Sequence, residues 1–161
     1  MTIGFILNGE DVIVKTNAEN RLVDILRQTF NLSGTRKGCY LGTCGACSVI
    51  FNGEVVKSCL IPAFKIRDSE IITIEGFSQS DEYQDIIRGF AEAGVLNCGF
   101  CNTGKIMAAE ALLGKNQSPE ETDILKAFNG IKCRCTDSES LVQGVLIAAE
   151  IRRQRINGRS H

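Results

Sequence analysis

The sequence has no tryptophan, a single histidine, His161 at its end, and no run of about 18 apolar residues that could cross a bilayer. Each shortage removes a class of function. With one terminal histidine, no nucleophile and base pair suggests itself. The opening stretch MTIGFILNGEDVIVK lacks a basic region followed by a long apolar run, so neither an export signal nor a membrane anchor is expected, and the protein is expected in the cytoplasm. Excess charge of one sign is also missing: the formal net charge is -1 and both signs are spread over both halves, which leaves no footprint for nucleic acid or an anionic membrane. The one basic cluster, Arg152, Arg153, Arg155 and Arg159, reads as the solvated end of a helix, where cations complement the dipole.

What is present is a globular composition, 43% hydrophobic and 23% charged over 161 residues, enough for one ordinary domain or two small ones. Eight cysteines stand out. In a reducing compartment they are not expected to pair as disulfides, and clustered thiols then point to metal binding or redox chemistry.

Periodicity and punctuation divide the chain. Ile3 to Leu7 and Asp11 to Lys15 flank Asn8-Gly9, a hairpin signal because both turn positions need positive φ, and Ser48 to Phe51 and Glu54 to Lys57 flank Asn52-Gly53 in the same way. Between the hairpins, Leu22, Ile25, Leu26 and Phe30 recur at helical spacing, with Gly34 as the stop, and Glu70 to Glu75 reads as a further strand. The first half is therefore a small sheet packed on a helix. Past Gly76 the polar stretch FSQSDEY reads as a linker, and the rest is helical. One stripe ends at Gly94, a second runs from Ile106 to Leu113 and ends at Gly114, a third opens with a capping box at Ser118 with Pro119 in first position, and Leu141, Val145, Ile147 and Ala148 mark a fourth. Helices of this length with short connections suggest a compact bundle.

The cysteines divide along the same line. Cys39-x4-Cys44-x2-Cys47, followed by Cys59, has the plant-type spacing for a [2Fe-2S] cluster. Gly38, Gly42 and Gly45 let the backbone curl tightly enough to aim N–H groups at a buried anionic core. A four-cysteine zinc site and free buried cysteines are the competing readings. Cys98, Cys101, Cys133 and Cys135 fall just before expected helices, whose N-termini favour thiolates, and here the spacing leaves cluster and zinc both open.

Four segments together, Gly38 to Cys47, Ser58-Cys59-Leu60, Cys98 to Cys101 and Cys133 to Thr136, resemble in order the motifs of the iron-sulfur subunit of the molybdenum hydroxylases, the xanthine dehydrogenase and aldehyde oxidase family. The resemblance implies an α+β chain: a plant-type ferredoxin-like (β-grasp) domain over 1–76 and a four-helix-bundle domain over 77–161, each with one [2Fe-2S] cluster. It settles the second quartet as cluster ligands. It further implies an electron-transfer subunit, which transforms no substrate by itself, of a larger oxidoreductase. Its partners would be a large molybdopterin-binding subunit beside the helical cluster and a FAD-binding subunit beside the ferredoxin-like one. Asn97, where the family has glutamine, and Cys135 are the positions it places beside the pterin. Asn102 stands in the family's C-T-P-G segment as a residue suited to capping a helix, and Asp137 replaces a glycine at the start of the final helix. A stand-alone two-cluster carrier and a redox-silent metal-binding module are the alternatives from other classes.

Overall fold

A computed structural model describes residues 1–95, 102–129, 131 and 136–159. Among these, five strands form one mixed sheet in the order β2-β1-β5-β3-β4. Strands β1 (Thr2–Leu7) and β2 (Glu10–Lys15) pair antiparallel through a turn in which Asn8 and Gly9 have φ of 51° and 86°. Strands β3 (Ser48–Phe51) and β4 (Glu54–Lys57) repeat the device with Asn52 and Gly53 at 50° and 85°. Two successive positive φ values match the right-handed twist of the flanking strands, which is why both hairpins were legible. Strand β5 (Glu70–Ile72) lies parallel to β1 and antiparallel to β3. Ile3, Phe5 and Leu7 alternate inward from β1 onto Leu22, Ile25 and Leu26 of helix α1 (Leu22–Gln28), forming the core of this half.

Two boundaries differ from the sequence expectation. Helix α1 does not run to Gly34; the chain leaves it near Asn31, whose φ is 56°. Gly34 serves a close approach instead, since a Cβ there would lie 2.5 Å from Ile74 Cγ2. The expected strand Glu70 to Glu75 ends at Ile72 because the Asn8 side chain accepts from the Thr73 N–H (2.8 Å) and donates to its hydroxyl (3.0 Å). Ile74–Phe77 then turns into a short helix, α2. The polar stretch that follows is packed: Tyr83 meets Phe77 edge-on at 6.0 Å.

Helix α3 (Asp81–Glu92) is capped by Ser80, whose hydroxyl accepts from the Tyr83 N–H. It ends as anticipated at Gly94, with the Val95 N–H on the Phe90 carbonyl at 2.9 Å. Helix α4 (Asn102–Lys115) continues through Gly114 rather than ending there. Helix α5 (Glu121–Ala127) starts later than expected, because the Ser118 hydroxyl accepts from Arg153 Nη1 while the Glu120 N–H donates to Asp123 at 3.0 Å. Helix α6 (Ser138–Arg159) crosses α3 closely: a Cβ on Gly89 would lie 2.5 Å from the Gly144 carbonyl oxygen. Phe90, Ile106, Met107, Leu113, Ile124 and Val145 fill the space between these helices, and half-buried Ile50, Val55, Ile72 and Ile74 of the sheet half pack against them.

Arg152, Arg153 and Arg155 are not merely a solvated helix end. Arg152 is buried, donating to Glu110 Oε2 at 2.7 Å, to the Glu82 carbonyl at 3.1 Å and to Asp85 Oδ2 at 3.4 Å, while Arg155 Nη2 reaches Asp85 Oδ2 at 2.8 Å. The pairing of α3 with α6 puts Asp81, Glu82 and Asp85 opposite the arginines, a relation no local sequence window contains. Arg152→Met should cost about 3 kcal/mol in urea unfolding, because it leaves a buried carboxylate short of its partner. Lys115→Ala, which removes an exposed pair with Glu54, should stay within about 0.5 kcal/mol.

The same network sets a pH dependence. Burial pushes the Glu110 carboxyl above its ordinary 4.5, and Arg152 pulls it down only in part. The folded acid therefore holds its proton more firmly than the unfolded one. Its contribution to stability is present below 4.5 and is lost as pH rises through the higher folded value. Unfolding midpoints measured from pH 4 upward should accordingly decline less steeply in Glu110→Gln than in the parent.

Candidate metal centre

The loop from Gly34 to Cys47 is closed at its base by the Arg36 N–H on the Ala46 carbonyl at 3.1 Å. Within it Tyr40, Gly42 and Gly45 have φ of 60°, 77° and 76°, and these left-handed steps fold the backbone so that its N–H groups face sulfur. Cys39 Sγ accepts from the N–H groups of Leu41 (3.3 Å), Thr43 (3.2 Å) and Cys44 (3.4 Å). Cys44 Sγ accepts from those of Cys39 (3.5 Å) and Ala46 (3.4 Å). Cys59 comes from the 3-10 turn Ser58–Leu60, held against Cys47 because the Ser58 hydroxyl and N–H both donate to the Cys47 carbonyl, at 2.7 and 3.2 Å.

The four thiols fall into two environments. Hydrogen bonds from the Thr43 hydroxyl and from backbone N–H groups pull the Cys39 thiol down to about 5. Cys47 and Cys59 are buried beside Val23, and burial, with a shared Cys47 hydrogen bond, pushes the Cys59 thiol up to about 11. The donor set is thus all sulfur, with amide donors on the outer side and apolar packing on the inner. That suits an anionic [2Fe-2S] core, whose bridging sulfides spread the ligands apart and need N–H partners. Among the described residues no group of three or more His, Cys, Asp or Glu converges tightly enough for a single metal ion. The fit therefore rests on the donor chemistry of the loop.

Helix α4 abuts this loop. The Thr103 hydroxyl donates to the Gly34 carbonyl at 2.9 Å, and a Cβ on Gly104 would lie 2.6 Å from the Gly45 carbonyl oxygen.

Comparison with known proteins agrees with this geometry. Residues 5–72 match the family described as the 2Fe-2S iron-sulfur cluster binding domain, and residues 73–146 match the [2Fe-2S] binding domain. The chain is 41% identical to the nicotinate dehydrogenase small FeS subunit of Eubacterium barkeri, over 93% of this chain and 96% of that one. It is 37% identical to the aldehyde oxidoreductase of Megalodesulfovibrio gigas over 95% of this chain, which corresponds to 17% of that longer protein. In the crystal structure of quinoline 2-oxidoreductase from Pseudomonas putida 86, one chain superposes with a TM-score of 0.85 at 31% identity, covering 95% of this chain and 96% of that one. The chain belongs to the iron-sulfur subunits of the molybdenum hydroxylases.

As such a subunit it is part of an oxidoreductase, and an electron-transfer role is supported. Among the described residues no helix is long and apolar enough to cross a membrane. The second quartet, Cys98, Cys101, Cys133 and Cys135, lies outside the described residues, as does Asn97. Asp137 stands at the start of α6 as anticipated: Oδ1 accepts from the Ser140 N–H at 2.6 Å, and these bonds to Ser140 hold the carboxyl below its usual value. Asn102 lies in the first turn of α4, and its buried Oδ1 has no hydrogen-bond partner among the described residues. The sequence reading passed over Lys105, fully buried with Nζ 3.3 Å from Thr136 Oγ1, although a lysine opening an apolar run was a visible signal.

The close approach of α4 to the loop predicts a contrast between two helical glycines. Gly104→Ala should cost about 1–3 kcal/mol, since the obstructing atoms are backbone. Gly114→Ala, whose nearest obstacle is Glu110 Oε1 at 3.7 Å, should stabilise the iron-sulfur subunit by up to about 1 kcal/mol, both measured by chemical unfolding.

Proposed function

We propose that this chain binds two [2Fe-2S] clusters and relays electrons from a molybdopterin-binding subunit to a FAD-binding subunit. Cys39, Cys44, Cys47 and Cys59 hold the first cluster and Cys98, Cys101, Cys133 and Cys135 the second. The ferredoxin-like (β-grasp) unit spans 1–76 and the four-helix unit 77–161, with Asn97 and Cys135 toward the pterin and the whole assembly in the cytoplasm. The observation that carries the reading is the loop of N–H donors aimed at Cys39 and Cys44 beside buried Cys47 and Cys59. The match of residues 73–146 to a [2Fe-2S] binding domain supports the second quartet.

When bound, each cluster supplies one-electron storage. The chain's own residues do the rest: outer N–H groups offset the negative charge of the thiolates, and Val23 with the sheet core excludes water from Cys47 and Cys59. Thr103 and Gly104, a few residues beyond Cys101, fix α4 against the first loop, so the two ligand-bearing regions share one rigid contact.

Metal and sulfide analysis should give about four irons and four labile sulfides per chain, for two centres. Cys47→Ser should remove or alter one EPR signal and Cys135→Ser the other, in protein that stays folded by circular dichroism. Stoichiometric zinc, or loss of both signals from either change, would contradict two independent cluster sites.

A further inference from the structure

Among the described non-glycine residues with positive φ, Asn8, Asn31, Asn52 and Asp68 are of types that tolerate it; Tyr40, at 60°, is the exception. A bulky residue in that region costs about 1–3 kcal/mol and persists only where its surroundings over-determine it. The surroundings of Tyr40 are specific. The Arg21 guanidinium lies 3.9 Å from the ring centroid and the Lys37 ammonium 4.1 Å from it. The Tyr40 hydroxyl donates to Asp24, which also accepts from Lys37 Nζ at 2.9 Å. Arg21 Nη1 donates to the Tyr40 carbonyl at 2.8 Å and to the Cys59 carbonyl at 3.2 Å.

One guanidinium thus grips both segments that bear the thiols: the loop next to Cys39 and the turn that carries Cys59. Its charge is also uncompensated in part: among the described residues the Asp24 carboxylate forms its ion pair with Lys37, and Arg21 forms none within 4 Å. We propose that Arg21 is a positioning residue for the Cys39 to Cys59 centre, holding the two ligand segments in register and raising the reduction potential of that centre. The inference rests on the reading of those four cysteines as cluster ligands. Reduction adds one electron and breaks no bond, so the reduced centre carries one more negative charge. A fixed cation, half-buried and therefore weakly screened, stabilises that form more than the oxidised one.

The test is an EPR-monitored redox titration of the full holoprotein in its native complex, comparing the parent with Arg21→Gln, Arg21→Lys and Cys47→Ser. Arg21→Gln should move the midpoint of the Cys39 to Cys59 centre to more negative potential and leave the other centre in place. Arg21→Lys, which keeps the charge, should restore most of the shift. The proposal is overturned by an unchanged midpoint in Arg21→Gln, by equal displacement of both centres, by Arg21→Lys shifting as far as Arg21→Gln, or by loss of iron from the centre in both variants. If Cys47→Ser leaves the signal of that centre intact, the ligand assignment fails instead, and the two failures are thereby separate.

Discussion

A Cβ on Gly104 would collide with the Gly45 carbonyl, and the position of helix α4 follows from the absence of that atom. Gly45 belongs to the loop that folds around the first cysteines, and Gly104 to the first turn of a helix that begins one residue after Cys101. Backbone against backbone is the closest packing a chain can make, and it is rigid because no side chain can rearrange to relax it. The Thr103 hydroxyl on the Gly34 carbonyl closes the same contact from the other end of the loop. For an oxidoreductase subunit with an electron-transfer role this matters, because electron transfer depends on distances that stay fixed.

The contact holds only if α4 is itself held, and that is the work of the other helices. Gly89 and Gly144 let α3 and α6 approach closely, and the ion pairs of Arg152 and Arg155 with Asp85 and Glu110 fix their register along the crossing. Glu110 sits on α4 itself, so Arg152 ties α6 to α3 and α4 at once. On the other side Ile50, Val55 and Ile72 bring the sheet half against the helical core. The two halves are thus joined by packing as well as by the loop contact.

Much of this was legible, and the line between read and unread is physical. The Asn-Gly hairpins and the Gly94 stop were read correctly because a positive φ is a local demand that few residue types meet. The same rule failed at Gly34, where the glycine answers to Ile74 and Glu75, forty residues away in sequence, and Asn31 takes the left-handed step. Arg152 and Arg155 were misread for the same reason, since their partners lie on other helices. Thiol spacing pointed to the first loop, but the division into outer, amide-bonded Cys39 and Cys44 and inner, buried Cys47 and Cys59 arises only when the Ser58–Leu60 turn folds onto Cys47.

Two unlike environments are thus brought to one site. Hydrogen bonds pull the Cys39 thiol down, whereas burial pushes the Cys59 thiol up. The contacts that span the Cys59 turn and the Cys39 loop are the Ser58 bonds to Cys47 and the Arg21 bonds to Tyr40 and Cys59. The strained backbone of Tyr40 is then intelligible as the cost of placing a carbonyl where Arg21 can reach it together with that of Cys59.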